Sequence, residues 1–376
     1  VMYDSIVDDL KLEEKDLRLL KGEFGLAAKD AMKIVTEIAK LQGAERLIDV
    51  SSVHIDSTIF IGEAGMKYVQ HFRNVEENAR VCVSTTTNSG SVDRKAWRDM
   101  GIDEDFGVEA QRLGDAYVEL GCEPTFTCAP YLLPSSRPKL GENVCWGESN
   151  AVVFANTVCG ARTQKCGDFL DLAVAITGRA PYVSTHIEEN RRASIVLNVP
   201  ERIVQDAKHD DSFYAMLGYL AGRESKGKIP LVFGLDVKCV SEDRLKSFCA
   251  AFGTSGSVSM CHIDGVTPES FSQPQCDESV TITDEMFRDV WCTFNSNDDD
   301  DDRVDLVALG NPHFSLTELE TLGELCEHKH VHKDVSFVVT TAREILDATP
   351  DHTLTSLKDV GVKFVTDTCW CMLSEP

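Results

Sequence analysis

The chain has 376 residues, of which 43% are hydrophobic and 26% charged, and this composition predicts a globular protein of roughly two or three packed lobes. Its formal net charge of −25 repels phosphate backbones and argues against nucleic-acid binding. No uncharged run approaches the roughly 20 apolar residues of a membrane-spanning helix, and the acidic start has no secretory hydrophobic segment. We therefore expect a cytoplasmic or organelle-matrix protein.

The apolar spacing predicts, in chain order, a helix over 10–42, strands RLIDVSSVHI and ARVCVSTTTN, helix EAQRLGDAYVELG, a strand or buried loop TFTCAPYLL, and apolar elements NAVVFANTVCGA and DFLDLAVAITG. It then predicts strand PLVFGLDV, helix EDRLKSFCAAFG, strand RVDLVALG, helix LTELETLGELCEH, strand VSFVVTT, helix TLTSLKDVG and strand GVKFVTDTC. This alternation indicates α/β layers with mainly parallel sheet. We expect two lobes, 1–190 and 191–376, around a central cleft.

Polar motifs follow several predicted strands, where open α/β sheets bind their ligands. These motifs contain Ser52 and His54 in SSVH, Asn88 in TTTNS, Cys128 in TCAPY, His313 in GNPH, and Cys369 and Cys371 in TDTCWC. We expect these side chains to line the cleft. Ser52, His54 and His313 are the candidates for acid–base catalysis, although a single histidine is also compatible with a structural role.

The 14 cysteines are scattered and include no CxxC pair, which argues against a zinc ribbon and a thioredoxin-like site. Thiolates at separate strand ends can converge on one iron site, because such a site needs soft sulfur ligands in fixed positions. Cys128, Cys369 and Cys371 are the candidate ligands. Their spacing is equally compatible with thiols that cap buried strand ends.

A further polar group stands at the two ends of one apolar element within WGESNAVVFANTVCGART. Glu148, Ser149 and Asn150 precede this element, and Arg162 and Thr163 follow it. These side chains predict a substrate-binding group in which the Arg162 guanidinium holds a carboxylate through two hydrogen bonds. A helix cap and a surface arginine are the alternative.

Two charged tracts are predicted to be solvated loops and not metal sites. One is the run of five aspartates at 298–302, whose carboxylates repel one another and do not converge on one ion. The other contains His328, His330 and His332 in EHKHVHK, directly after a predicted helix.

Long segments of the chain resemble the aconitase X family. They extend from about residue 43 to the C-terminus and comprise GAERLIDVSSVHIDSTIFIGEAG, TTTNSGSVDRKAW, EPTFTCAPYLL, WGESNAVVFANTVCGARTQKCGDFLDLAVAITGRAP, ALGNPHFSLTELETL and VTDTCWCM. The block that begins WGESNAVVFAN is the longest and most specific of these matches. The resemblance implies an aconitase-like fold of layered α/β/α lobes.

The resemblance also implies an iron-dependent hydro-lyase, with an iron–sulfur cluster of the 2Fe-2S or 3Fe-4S type or a mononuclear iron. Cys128 and Cys369 look like ligands of this centre. The archaeal branch of the family has a third thiol in a Gly-Cys-Pro-His segment, where this chain has Asn311. Cys371 or another thiol is expected to compensate, unless the cluster is smaller.

Two branches of the family imply two substrates. One branch dehydrates cis-3-hydroxy-L-proline to Δ1-pyrroline-2-carboxylate, and the other is a two-subunit enzyme that dehydrates mevalonate 5-phosphate. The segments DVSSVHIDSTIF, PTFTCAPYLL and GNPHFS are more similar to the first branch. A phosphorylated substrate would need several lysine or arginine side chains at the pocket, and Arg162 and Lys165 are the only candidates considered. The sequence therefore favours hydroxyproline.

The small swivel domain of the family resembles no segment of these 376 residues. We expect it as a small partner subunit or as part of a longer polypeptide. An inactive binding or scaffold homologue is the alternative from another functional class, and restoration of turnover by a partner would distinguish the two. A hydrolase finds no support, because the chain lacks a GxSxG motif.

Overall fold

The computed structural model of the chain describes residues 10–207, 209–272, 276–295 and 303–372. The aspartate run at 298–302 lies outside these residues. Across the described ranges, no helix is both long and apolar enough to span a bilayer. Helices alternate with strands that pair mainly in parallel, which confirms the predicted α/β class.

The helices of the described chain are α1 (Glu14–Lys21), α2 (Leu26–Leu41), α3 (Glu63–Val75), α4 (Glu104–Glu119), α5 (Ser149–Phe154), α6 (Leu170–Thr177), α7 (Glu201–Ala207), α8 (Asp211–Glu224), α9 (Glu242–Ser255), α10 (Asp284–Phe294), α11 (Leu316–Leu325), α12 (Arg343–Ala348) and α13 (Asp351–Val360). A π-helical segment, Ala155–Cys159, extends α5. The predicted helix over 10–42 is two helices, because Gly22 ends α1 in the left-handed region at φ 84°.

The strands of the described chain are β1 (Leu47–Asp49), β2 (Ser52–Ile55), β3 (Ser84–Thr87), β4 (Cys145–Trp146), β5 (Arg179–Pro181), β6 (Ile195–Asn198), β7 (Pro230–Phe233), β8 (His262–Ile263), β9 (Ser279–Thr281), β10 (Leu306–Phe314), β11 (Ser336–Thr341) and β12 (Val362–Val365). They form four sheets, and only the β1–β5 pair of these is antiparallel. No described sheet spans residue 190, and the division into two lobes at that point stays a prediction.

The sheet that positions the candidate site has the order β3-β2-β4, and both of its pairs are parallel. The carboxyl ends of parallel strands lie at the same edge of a sheet, where ligands usually bind. Asp56, Asn88 and Glu148 follow β2, β3 and β4, and they lie side by side at this edge. We refer to these three as the carboxyl-edge residues.

Helix α6 lies at the centre of the N-terminal core. All eight of its residues are buried, and all except Asp171 and Thr177 are apolar. It packs against α2, whose Ala31, Met32 and Val35 have no exposed surface, and against β2. This packing fixes the strand that carries His54 and ends before Asp56.

A second parallel sheet, β8-β7-β6-β9, is covered by α8 and α9. The two helices approach closely, because a Cβ atom on Gly218 of α8 would overlap the Phe248 carbonyl of α9. Gly222 lies equally close to Ser255 and Gly256. Glycine is therefore required at both positions by the contact between the helices.

The third parallel sheet, β10-β11-β12, has α11 and α13 beside it. Its register shifts between Leu309 and Phe314 of β10, so the strand leaves regular pairing where it carries His313. Ser315 and Glu318 form a capping box at the start of α11, which ends the strand directly after this segment.

Candidate active site

Two thiols and an imidazole from distant parts of the chain meet in the interior. The ligand atoms of Cys128, His313 and Cys369 lie within 4.8 Å of one another, and all three residues are buried. Cys128 lies in the TFTCAPYLL segment, which is a buried loop with a 3-10 turn at Pro130–Leu132. His313 belongs to β10, and Cys369 follows β12. The group therefore joins the third sheet to the loop between α4 and β4.

The His313 side chain is held by hydrogen bonds on both ring nitrogens. Its Nε2–H donates to the Thr368 carbonyl (2.9 Å), and Nδ1 lies 3.0 Å from the Thr127 hydroxyl. Burial lowers the pKa of His313 to about 4, so the ring is neutral. Its backbone N–H donates to Cys128 Sγ at 3.3 Å. His313 thus positions the Cys128 thiol and has no free nitrogen for a metal in this arrangement.

A third thiol, that of Cys371, lies next to Cys369 at the protein surface. The neighbouring thiols of Cys128 and Cys371, together with burial, raise the pKa of Cys369. The hydrogen bond with Cys369 lowers the pKa of Cys371 to about 7. Cys371 is exposed, whereas Cys128 and Cys369 are buried. The three predicted thiols are therefore neighbours, and that of Cys371 is the one exposed at the surface.

This donor set fits an iron or iron–sulfur group, because thiolates are the ligands that such groups prefer. A buried atom without a partner supports the same fit: Thr368 Oγ1, beside Cys369, makes no hydrogen bond in the described structure. Asn311, which stands where the resemblance to the archaeal branch predicted a third thiol, is exposed on β10. The residues that would hold the group are thus Cys128, Cys369 and Cys371.

A pair of carboxylates bridged by one amide forms the carboxyl edge of the first sheet. Asn88 Nδ2 donates to Asp56 Oδ1 and also to Glu148 Oε2, the second at 2.9 Å. Gly147 lies so close to Asp56 that an added Cβ would be 2.6 Å from the Asp56 Cβ. The absence of a side chain at position 147 therefore lets the Asp56 carboxyl approach β4.

The carboxyl edge is electrostatically strained. Burial, followed by the charges of Glu148, Asp171 and Asp168, raises the pKa of Asp56 to about 8. Burial also raises the pKa of Asp171 to about 6, although this carboxylate accepts hydrogen bonds from the backbone N–H of Asp56 and Ser57. Several carboxyl groups thus compete for protons near neutral pH.

Asn150 connects the carboxyl edge to the thiols. Its Nδ2 donates to the Cys128 carbonyl (3.0 Å) and to Glu148 Oε1 (2.9 Å), and its Oδ1 accepts from the Tyr131 hydroxyl at 2.8 Å. Glu148 also contributes to the electrostatic environment of Cys371. The carboxylates and the thiols therefore belong to one site.

The structure separates two residues that the sequence placed together in SSVH. His54 is fully buried near the carboxyl end of β2, where Nδ1 shares a hydrogen bond with Thr86 Oγ1 at 2.8 Å. Burial lowers the pKa of His54 to about 3, and its Nε2 has no hydrogen-bond partner. Ser52 begins β2, at the opposite end of the strand from Asp56. Ser52 is therefore not brought to the carboxyl edge.

Neither Arg162 nor Thr163 makes a hydrogen bond to a carboxyl-edge residue in the described chain. The Arg162 guanidinium forms an ion pair with Glu188, and its backbone pairs with residues 142–144, which precede β4. The Thr163 hydroxyl accepts a hydrogen bond from the Trp146 backbone N–H and donates to the Gln164 carbonyl. Among the remaining predicted residues, Asn88 and Asn150 line the site, and Ser149 is exposed at the start of α5.

Asp56 is the residue that the sequence prediction missed. The available signal was its position directly after a predicted strand, next to His54. Glu148 was recognised only as part of a polar segment, without a role of its own. The positions of Asp56 and Glu148 next to each other cannot be predicted from local sequence, because they depend on which strands lie side by side.

Comparisons with known proteins agree with this architecture. Models of the aconitase X first, second and third domains match residues 9–189, 193–292 and 304–376. The crystal structure of Thermococcus kodakaraensis aconitase X in its holo-form is similar with a TM-score of 0.85 and 29% identity, covering 96% of this chain and 89% of that one.

Curated relatives fall into two groups. The cis-3-hydroxy-L-proline dehydratase of Hypocrea jecorina is 45% identical over 98% of this chain and 62% of its own length. That of Pseudomonas aeruginosa is 44% identical over 97% of this chain and 63% of its own length. The phosphomevalonate dehydratase large subunit of Methanocaldococcus jannaschii is 31% identical over 95% of this chain and 88% of its own length. The chain thus spans less than two thirds of the first two relatives.

Proposed function

The chain belongs to the aconitase X family, and from this premise we propose that it forms the iron-binding part of a hydro-lyase for cis-3-hydroxy-L-proline. The observation that carries the proposal is the convergence of Cys128 and Cys369, with Cys371 next to Cys369, beside the carboxyl-edge residues. The greater similarity to hydroxyproline dehydratases than to phosphomevalonate dehydratases supports this choice of substrate.

The proposed reaction removes water from the substrate. The C2 proton and the C3 hydroxyl leave, and the resulting enamine tautomerises to Δ1-pyrroline-2-carboxylate. An iron–sulfur cluster or mononuclear iron, when bound, supplies a Lewis acid that assists departure of the hydroxide. Cys128, Cys369 and Cys371 hold this group, and the backbone N–H of His313 fixes the Cys128 thiol. Because Cys128 and Cys369 are buried, their thiols are shielded from water.

The general base for the C2 proton is assigned to a second part of the enzyme. His54 is too deeply buried to reach a ligand, and Ser52 lies at the wrong end of β2. The phosphomevalonate dehydratase relatives carry the name "large subunit", which implies a smaller partner for those proteins. We propose that a comparable partner subunit or segment completes the site of this chain and supplies the base.

Dehydration of mevalonate 5-phosphate is the second candidate, supported by relatives that this chain matches over 88% of their length. A phosphate group requires cations at the site. The carboxyl edge instead presents Asp56 and Glu148, and Arg162 is paired with Glu188. The charge of the site therefore favours the amino acid over the phosphorylated acid.

A substrate assay under anaerobic conditions tests the proposal. The complete protein that contains this chain, with any partner that co-purifies, is incubated with each of the two substrates, and iron and sulfide are quantified in the same preparation. We expect formation of Δ1-pyrroline-2-carboxylate from hydroxyproline and no turnover of mevalonate 5-phosphate. Turnover of mevalonate 5-phosphate alone would show that it, and not hydroxyproline, is the substrate. Inactivity of an iron-loaded preparation towards both compounds would favour a binding or scaffold protein.

A further inference from the structure

The carboxyl edge holds two carboxylates that have no cationic partner within the described chain. Neither Asp56 nor Glu148 forms an ion pair with a lysine or arginine in the ranges that the structure describes. Lys165 is the cation that contributes to the charge environment around Glu148, but its ammonium donates to the Gly253 carbonyl at 3.3 Å. The two carboxylates are bridged only by the uncharged amide of Asn88.

We propose that Asp56 and Glu148 bind the secondary ammonium of a cyclic α-amino acid, and that Asp56 thereby selects amino-acid substrates over phosphorylated hydroxy acids. This inference rests on the proposed function, because it uses the same site and names the group by which that site recognises its substrate. A secondary ammonium has two N–H donors, and the paired carboxyl groups offer one acceptor each. The positive charge of the ammonium would lower the raised pKa of Asp56, so that both groups are ionised when the ligand is bound. The bridging NH2 group of Asn88 already shows that one nitrogen can reach both acceptors.

The free acceptor positions agree with this geometry. Asp56 Oδ2 accepts no hydrogen bond from any described residue, and the Asp56 side chain retains partial contact with solvent. Glu148 Oε1 is occupied by Asn150, which leaves Oε2 for the Asn88 amide or for a ligand. A ligand nitrogen between Asp56 and Glu148 would thus meet one oxygen of each carboxylate.

A buried atom without a partner supports ligand binding at this point independently of the acidic groups. The imidazole of His54 interacts with the Thr127 backbone and the Asn88 side chain, but its fully buried Nε2 has no hydrogen bond of ordinary geometry. A ligand ammonium that donates to both carboxylates releases the NH2 group of Asn88. Asn88 can then donate to His54 Nε2, which satisfies the last unpaired atom of the ring.

The position of the ammonium also fixes the rest of the substrate. Asn150 contacts both Glu148 and the Cys128 carbonyl, so the carboxyl edge and the thiols are separated by a single side chain. In 3-hydroxyproline the hydroxyl-bearing C3 is two bonds from the ring nitrogen. Anchoring the nitrogen at Asp56 and Glu148 therefore directs the hydroxyl towards the thiols. A phosphate at the same point would be repelled by the Glu148 carboxylate and would bring no positive charge to ionise Asp56.

Binding of two matched ligands tests this inference without relying on turnover. L-proline carries the ammonium, and tetrahydrofuran-2-carboxylate has an ether oxygen in its place. With the complete anaerobic protein, we expect calorimetry to show L-proline binding at least about tenfold more tightly than the ether, because only the ammonium is charged. In Asp56→Asn, which keeps the shape of the side chain, the preference should fall below about threefold.

Two further variants complete the design. Glu148→Gln should reduce the preference in the same direction, and it provides a second measurement if Asp56→Asn does not fold. Asp305→Asn is the matched control, because Asp305 precedes β10 and lies at the end of that strand opposite to His313. The control should retain the preference of the wild type. For cis-3-hydroxy-L-proline, we expect Asp56→Asn to raise KM by at least about tenfold.

The outcomes separate this inference from the proposed function. If the wild type does not turn over hydroxyproline but prefers L-proline to the ether, the proposed reaction is wrong and the ammonium site stands. If the wild type is an active hydroxyproline dehydratase and both carboxylate variants keep the ligand preference, the ammonium site is wrong. Equal binding of the two ligands by the wild type would also overturn it.

Discussion

At the scale of single residues, the thiols differ in what surrounds them. Cys128 accepts the His313 backbone N–H, and Cys369 donates to the Gly310 carbonyl at 3.7 Å. Cys371 lies outside this buried network at the protein surface. We infer that Cys128 and Cys369 determine whether the metal binds at all, because their positions are fixed before it arrives.

The first prediction concerns these two thiols. Cys128→Ser and Cys369→Ser should each reduce the iron content of anaerobically purified protein to less than about a third of the wild-type value, since a hydroxyl is a poor ligand for iron–sulfur groups. Metal analysis and visible absorption measure the loss. Cys326→Ala, in the small core beside β10-β11-β12, is the control and should keep its iron. Full iron content in either serine variant would refute the ligand assignment.

The second prediction concerns the protonation of Asp56. The pKa of this carboxyl is about 8 in the folded chain against 3.8 in the unfolded chain, so folding binds a proton between these pH values. Stability therefore falls as pH rises towards 8, and Asp56→Asn removes the effect because an amide does not ionise. We expect the variant to be more stable than the wild type by on the order of 2 kcal/mol at pH 8, and by clearly less at pH 5.

Thermal or urea unfolding at the two pH values measures this difference. Asp171, whose pKa is raised to about 6, contributes in the same direction only up to that pH, so the range from pH 6.5 to 8 isolates Asp56. Asp305→Asn should follow the wild type throughout. A constant difference between Asp56→Asn and the wild type across the range would show that Asp56 is ionised normally.

At the scale of elements, the π-helical segment after α5 joins the first and second sheets. Its Asn156 is buried, and its side chain makes hydrogen bonds with four groups: the Thr163 N–H and carbonyl, the Ser259 carbonyl and the Arg191 guanidinium. A π-helical turn inside a helix often marks a functional site, and here it turns one amide towards three separate segments. Helix α5 begins next to the carboxyl edge, and these hydrogen bonds anchor the π-helical segment at its other end.

The third prediction tests this anchor. Asn156→Leu keeps the approximate volume but leaves buried backbone groups and a guanidinium hydrogen unpaired, so we expect a loss of more than about 3 kcal/mol in the free energy of unfolding. Urea denaturation measures the change. Asn190→Ala removes a single exposed hydrogen bond to Ser184 and should cost less than about 0.5 kcal/mol. Similar losses in the two variants would contradict the anchoring role.

At the scale of the whole molecule, the net charge of −25 imposes self-repulsion on the folded chain. The fourth prediction is that NaCl raises the melting temperature between about 0.02 M and 0.5 M, because salt screens the repulsion between separated surface charges. Sodium chloride and sucrose are compared by scanning calorimetry, since sucrose stabilises without screening charge. A melting temperature that falls with salt would show that attractive ion pairs, such as Lys15–Asp49 and Arg202–Asp284, outweigh the excess of carboxylates.

The sequence by itself determined the class of the fold and the identity of the thiols. Alternating strand and helix patterns are local properties, so they predicted parallel α/β layers before any contact was known. Cys128, Cys369 and Cys371 were recognisable because strand-end motifs carry them, and long matching segments pointed to the aconitase X family. The same local reasoning could not tell which histidine nitrogens were free, and His313 proved to be bonded on both.

The tertiary structure decided how the remaining residues are distributed between the two ends of the strands. Ser52 and Asp56 are four positions apart in the sequence, yet the direction of β2 places only Asp56 at the carboxyl edge. Arg162 was free to bind a carboxylate as far as the sequence showed, but the fold brings Glu188 to it. Both results depend on strand order and on long-range pairing, which no local pattern encodes, and they explain why the carboxylate pair was found only in three dimensions.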